Sequence, residues 1–204
     1  MARPLAFDAD EALDAALDVF RAKGYEAASV GDLTSAMGIN RPSLYNTFGN
    51  KEDLFRQALE RYLQGPGSYL TTSLGQPTAA DVVSAMLHGA VEVMATDQSP
   101  SGCLLVHGAL VTSDAAAPIR LELAAIRSGS CDQLRQRLDR AVADGDLEAG
   151  SDTRRIAMYV TTMLAGISVE ASAGATAEEL HTVADDALLV LRDSEIIRNL
   201  AARV

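Results

Sequence analysis

Two groups of side chains in this sequence have the types and spacing to do chemistry. The first is Cys103 and His107 in "SPSGCLLVHGAL", four residues apart and so on one face of any helix they share. A thiol beside an imidazole is the start of a nucleophile, a redox centre or half of a metal site. Catalysis needs more than that pair. Side chains four apart on a straight helix align poorly for proton transfer, and no oxyanion donor is recognisable nearby. Neither His88 nor His181 has the spacing to complete a metal set, so no metal and no cofactor is expected. With Ser101 as a cap, the thiol would instead sit in a first helical turn, where the helix dipole favours thiolate. The second group is Arg41, Pro42, Ser43, Tyr45, Asn46 and Lys51 in "NRPSLYNTFGNK". Arg and Asn bond base edges or phosphate, and Tyr bonds phosphate while its ring packs on sugars. Lys51 adds a point charge at a helix start, which is a seat for a phosphate.

The elements that must hold these residues are helices. Apolar residues recur with helical period along nearly the whole chain, and no strand-like alternation stands out. A first helix is expected from Asp8 to Lys23, with Leu13, Ala16, Leu17 and Phe20 on one face and Gly24 at its stop. Ser29 caps a second helix ending at Met37, with Asp32 completing a capping box. Asn40 caps a third, where Pro42 is tolerated in the first turn and Leu44 and Phe48 face inward. That geometry turns Arg41, Pro42, Tyr45 and Asn46 outward. Two short helices joined by "GIN" have the lengths of a helix-turn-helix, and Lys51 opens a fourth helix running to the "QGPG" break.

Charge restricts what such a face could touch. The 204 residues carry a formal net charge of -11, which opposes indiscriminate coating of a polyanion. Local potential governs contact with a phosphate, however, and between Ser29 and Lys51 the one acid is Asp32, against Arg41 and Lys51. A small specific footprint on DNA is compatible with the overall acidity. The N-terminus has no basic flank leading into an apolar run. The longest apolar stretch falls short of the roughly 20 residues that span a bilayer. Two cysteines form no disulfide scaffold. A cytoplasmic protein without membrane partners is expected.

The stretch "GYEAASVGDLTSAMGINRPSLYNTFGNKEDLF", Gly24 to Phe55, resembles the DNA-binding domain of tetracycline-repressor-type (TetR/AcrR) regulators. Leu44, Tyr45, Phe48, Lys51, Leu54 and Phe55 fall on that family's habitual Leu-Tyr-x-x-Phe-x-x-Lys-x-x-Leu-Phe pattern. Thr47 departs from it, since the family often has an aromatic residue there. The resemblance implies an all-α chain with a three-helix DNA-binding domain and a larger helical domain for ligand binding and dimerisation. The expected division is residues 1–50, a connecting helix at 51–66, and 67–204. It also implies a ligand-responsive regulator that binds palindromic, double-stranded operator DNA as a homodimer and is released by a small-molecule inducer. The DNA-contacting set would be Ser29, Arg41, Pro42, Ser43, Tyr45, Asn46 and Lys51. "GCLLVHGAL" further resembles the Gly-Cys-Leu opening of the sixth helix in one branch of the family, some members of which sense electrophiles or oxidants through cysteine. The competing class is a small helical redox protein or enzyme using Cys103 and His107.

Beyond the break, helices are expected at Thr78–Thr96, Gly102–Thr112, Pro118–Ala143, Thr153–Ala171 and Ala177–Arg192. Methionine thioethers conform to varied ligands, although core filling also explains Met at helical spacing. The candidate ligand set is Met86, Met94, Cys103, His107, Met158, Tyr159 and Thr162. The last two helices carry more apolar residues than one small domain requires, and a dimer bundle would bury the excess. Its candidate interface is Met163, Ile167, Leu180, Val183, Ala184, Leu188 and Leu191.

Overall fold

Ten α-helices and short 3-10 turns make up the computed structural model, which describes residues 7–95, 102–107 and 113–192; no strand occurs among them. The chain divides into two compact units. One comprises Met1–Gly67 with Leu104–Ala124, and the other Ser68–Cys103 with Ala125–Val204.

In the first unit, α1 (Ala9–Ala27) starts where the Asp8 carboxylate accepts the N–H groups of Asp10 and Glu11. It kinks at Gly24, whose φ of 73° is the left-handed region that favours glycine. The helix proper therefore stops at the glycine that marks its end in the sequence. α2 (Val30–Ala36) and α3 (Arg41–Phe48) carry the expected caps, Ser29 with Asp32 and Asn40. α4 (Lys51–Gln64) begins with a second capping box, Asn50 with Asp53. Gly49, with φ 79°, is needed just before it, because a Cβ there would strike the Asp53 carboxylate that closes the box. The core joins Leu17 and Phe20 of α1, Leu33 of α2, Leu44 and Phe48 of α3, and Leu54, Phe55, Leu59 and Tyr62 of α4. Phe20 and Phe55 meet edge to face with centroids 5.0 Å apart. Each such fully buried side chain contributes about 1.5–3 kcal/mol. On the outside, Arg61 of α4 ties to Asp10 and Asp14 of α1, an exposed network that adds little beyond orientation.

The second unit opens with two short elements that helical periodicity does not mark, the one-turn α5 (Tyr69–Thr72) and a 3-10 turn at Ser73–Gly75. The Arg137 guanidinium donates to the carbonyls of Leu74, Gln76 and Pro77, which fixes that turn. α6 (Ala79–Met94) is capped by Thr78, and its first N–H donates to Asp146 at 2.6 Å. α7 is one described turn, Leu104–His107, and belongs to the first unit. α8 (Ala117–Ala143) runs from the first unit into the second. α9 (Thr153–Ser172) and α10 (Ala177–Arg192) pack with α6 around Met86, Leu87, Met94, Val160, Leu164, Ile167, Leu180 and Ala184.

Two expectations change at this level. Cys103 immediately precedes α7, whose described residues end at His107, so the thiol stands at the start of that turn and not inside the longer helix the sequence suggests. The proposed cap Ser101, and the rest of the helix expected to Thr112, lie outside the described residues. Ile167, Leu180 and Ala184, assigned to a dimer interface, are 1%, 2% and 0% exposed. Their apolar faces are consumed by the protomer's own core.

Candidate nucleic-acid interface

The outward face of α3 follows from two buried anchors. Leu44 is fully buried and Phe48 nearly so, and their spacing of four residues locks the helix's rotation. Arg41, Pro42, Tyr45 and Asn46 are consequently exposed, with Tyr45 at 49%, an unusual exposure for a large aromatic. Ser43 and Thr47 are half-buried at the edges of that face. The preceding turn is held by the Asn40 carboxamide oxygen, which accepts the Ser43 N–H at 2.9 Å. Asn40 is thus a positioning residue, whereas the Asn46 side chain lies outward in solvent.

Ser29 has a structural duty that restricts what else it can do. Its hydroxyl donates to Asp32 Oδ2 and accepts the Asp32 N–H, and its own N–H donates to the same carboxylate at 3.0 Å. Lys23 adds an ion pair to Asp32 at 2.7 Å. That ammonium first, and the Ser29 N–H second, hold the Asp32 carboxyl well below its ordinary pKa. The single acid within the stretch is thereby partly neutralised by α1.

Lys51 is half-buried. Its ammonium lies 4.6 Å from the Tyr25 ring centroid and donates to the Glu26 carbonyl oxygen at 3.3 Å. Burial lowers its pKa, and the nearby Glu26 carboxylate acts the other way. An ammonium has three donors, so the Glu26 carbonyl leaves capacity for a phosphate oxygen at the α4 start. The charge is legible in the sequence, whereas the aromatic shelf under it comes from packing with a residue 26 positions away.

The remaining candidates are not gathered into one place. Met86 and Met94 are core residues at 1% exposure. Cys103 is buried in the second unit, its N–H donating to the buried Ser168 Oγ at 2.7 Å. Tyr69 lies near it, and burial first, then Cys103, raises the phenol's pKa well above normal. His107 belongs to the first unit, beside Gly24, Tyr25 and Ala27, where burial lowers its pKa. Met158, Tyr159 and Thr162 border a shallow recess with Arg154 and Arg155 on α9. The apolar cavity of the second unit is elsewhere. About 600 Å³ in volume, it is lined by Ala79 and Val83 of α6, Leu138 of α8, Leu147, Ile156 of α9, and Leu188 and Leu191 of α10, with Asp81, Asp185 and Arg192 among its polar groups. Leu188 and Leu191, read from periodicity as interface residues, face this cavity. Burial patterns along α8, α9 and α10 show it, but apolar spacing alone does not say which neighbour is absent.

Exposed apolar residues on α9 and α10 form a different set. Met158 and Val169 on α9 are 54% and 49% exposed, and Val183 and Val190 on α10 are 39% and 40%. Gly166 lies between the α9 pair, and a Cβ built there would meet nothing within 4 Å. Met163 is half-buried.

Comparison with known proteins agrees with this geometry. Residues 12–58 match the family model described as bacterial regulatory proteins, tetR family, and residues 79–186 match the tetracyclin repressor-like C-terminal domain. The chain belongs to the TetR family. It is similar to the HTH-type transcriptional repressor ComR of Escherichia coli (strain K12), with 29% identity over 188 residues, 91% of this chain and 90% of that protein. Its first part is similar to the E. coli K12 HTH-type transcriptional repressor BdcR, 44% identical over 61 residues, 30% of this chain and 31% of that one. Among solved structures, a cysteine mutant of the TetR family regulator CifR, complexed with 26 bp double-strand operator DNA, is 43% identical with a TM-score of 0.86, covering 91% of this chain and 98% of that one. As a TetR-family member the chain is a transcriptional regulator, and α2 and α3 are its helix-turn-helix.

Proposed function

We propose that this TetR-family chain is a repressor that binds two-fold symmetric operator DNA as a homodimer and releases it when a small molecule occupies the second unit. The observation carrying the DNA reading is the exposed set Arg41, Pro42, Tyr45 and Asn46 on one face of α3, held by the buried Leu44 and Phe48. The operator complex of a relative 43% identical supports it. In a symmetric dimer the two α3 helices enter successive major grooves about 34–36 Å apart. Arg41 and Asn46 read base edges, Tyr45 and Lys51 hold phosphates, and Ser29 and Ser43 support the backbone register. Such a regulator acts where the chromosome is, in the cytoplasm.

Dimerisation is assigned to the exposed side of α9 and α10, with Met158, Val169, Val183 and Val190 as its apolar residues, since an exposed apolar face of this kind is usually covered by a partner. The inducer site is assigned to the 600 Å³ cavity, whose size and apolar lining suit a small, largely apolar molecule. Cys103 supports a covalent route to the same end. It is buried in the second unit at 4% exposure, so added bulk there must displace its packed neighbours.

The deciding experiment is a fluorescence-anisotropy titration of the purified protein on the DNA upstream of its own gene and on a scrambled duplex at the same salt. Binding tighter by about a thousandfold or more on the first is expected of a specific regulator. Equal affinity for both would reject the reading.

A further inference from the structure

Two imidazoles 93 residues apart in the sequence meet where α6 contacts α10. His88 Nδ1 and His181 Nδ1 are 2.8 Å apart. Each ring's other nitrogen faces a carboxylate of the opposite helix, His181 Nε2 at 3.1 Å from Glu92 and His88 Nε2 at 3.3 Å from Asp185. The order Glu92, His181, His88, Asp185 makes a continuous polar chain across the helix pair. Both rings are about one-third exposed, so protons exchange with solvent.

Counting protons determines the state that fits. An ionised carboxylate only accepts, so both Nε2 atoms must carry N–H. The contact between the two Nδ1 atoms requires one N–H and one lone pair. Three protons must therefore occupy the four ring nitrogens. Two neutral rings supply two, which leaves a carboxylate facing a lone pair or two lone pairs facing each other. Two imidazolium rings supply four, which sets N–H against N–H at 2.8 Å. The pair with one net positive charge satisfies every contact, and two carboxylates flank that charge.

We infer that His88 and His181 form a proton-dependent clasp, in which one shared proton holds α6 to α10 and either gaining or losing a proton loosens the contact. A metal ion fits the geometry less well. With Zn–N near 2.0–2.1 Å and tetrahedral angles, the two nitrogens would stand about 3.3 Å apart. Among the described residues no group of three or more His, Cys, Asp or Glu is placed to hold a metal. The charged groups facing the pair are Glu92 from α6 and Asp185 from α10, with Asp81 and Arg192 bordering the cavity that Asp185 also lines. The buried face of α9, which packs on both helices, carries no titratable group between Ala157 and Ala171. Because Asp185 belongs to the cavity wall, opening the clasp frees part of that wall.

Thermal unfolding of the full-length protein, His88→Asn and His181→Asn, from about pH 5 to about pH 9, tests the clasp, with ring ¹⁵N NMR on the same samples. The Tm gap between wild type and each variant is expected to pass through a maximum of about 2–4 °C and to shrink toward both ends. Glu92→Gln, which removes one flanking charge, should move that maximum to lower pH. In the wild type the two rings should titrate together in two steps, and in each single variant the remaining ring in one. A Tm gap that does not vary with pH, or a His88 titration unaltered by His181→Asn, overturns the inference. So does a stoichiometric shift of both Nδ1 signals on adding Zn²⁺ or Cu²⁺ alone, which would make the pair a metal site.

Discussion

The Ser29 hydroxyl donates to the Asp32 carboxylate at 2.8 Å, and the Asp32 N–H donates back to that same hydroxyl at 3.0 Å. This reciprocal pair starts α2 and, through the Lys23 ion pair, ties it to α1. Ser29→Ala should cost about 1 kcal/mol of stability, the usual value of an N-cap. A carboxyl with a folded pKa below its unfolded one stabilises the fold above the unfolded value and loses that contribution as pH falls through the folded one. Asp32 is such a group, so its contribution should persist down to about pH 4 and decline below it. Asp32→Asn should flatten the acid limb of a Tm-against-pH curve, and an unchanged limb would count against the box.

DNA affinity separates the roles on α3 and α4. Lys51→Ala should weaken binding to all duplexes alike and reduce the salt slope by about one, because a single phosphate contact is lost. Asn46→Ala should cost about 1–3 kcal/mol on operator and less on scrambled DNA, relaxing preference at one position. Identical salt slopes for wild type and Lys51→Ala would confine that ammonium to packing on Tyr25.

Assembly should respond to the exposed face of α9 and α10 and not to its buried side. Val169→Arg is expected to give a monomer mass by light scattering with unchanged helicity, and to lose operator binding. Leu180→Arg should instead unfold the second unit, since it buries a charge without a partner. A dimer mass that survives Val169→Arg would move the interface elsewhere.

The two thiols should differ in reactivity and in consequence. Cys131 is half-exposed, beside Asp132 and Arg135, whereas Cys103 is 4% exposed. A mild alkylating agent should modify Cys131 first and leave operator affinity unchanged. Slower modification at Cys103 should lower affinity, because a packed interior responds to added volume by rearranging. Cys103→Ser should retain binding and lose this response. Mass spectrometry paired with an operator titration reads both, and unaltered affinity after Cys103 modification would leave the thiol as core packing.

Short-range physics makes the first part of this fold legible in the sequence. The caps at Ser29 and Asn40, the stop at Gly24 and the rotation of α3 all rest on residues within four positions of each other. Backbone N–H satisfaction and helical period therefore make them readable along the chain. Tyr45 and Asn46 were outward as soon as Leu44 and Phe48 were inward. Which partner meets each apolar or polar face depends instead on how the helices pack. Periodicity marked Leu180, Ala184, Leu188 and Leu191 alike as apolar, yet the first two fill the core and the last two line a cavity. Lys51 gained its shelf on Tyr25, Cys103 its Ser168 acceptor and His88 its partner ring through contacts that are distant in sequence. Nothing local encodes such meetings, because they depend on the summed packing of several helices and not on the conformation of any one.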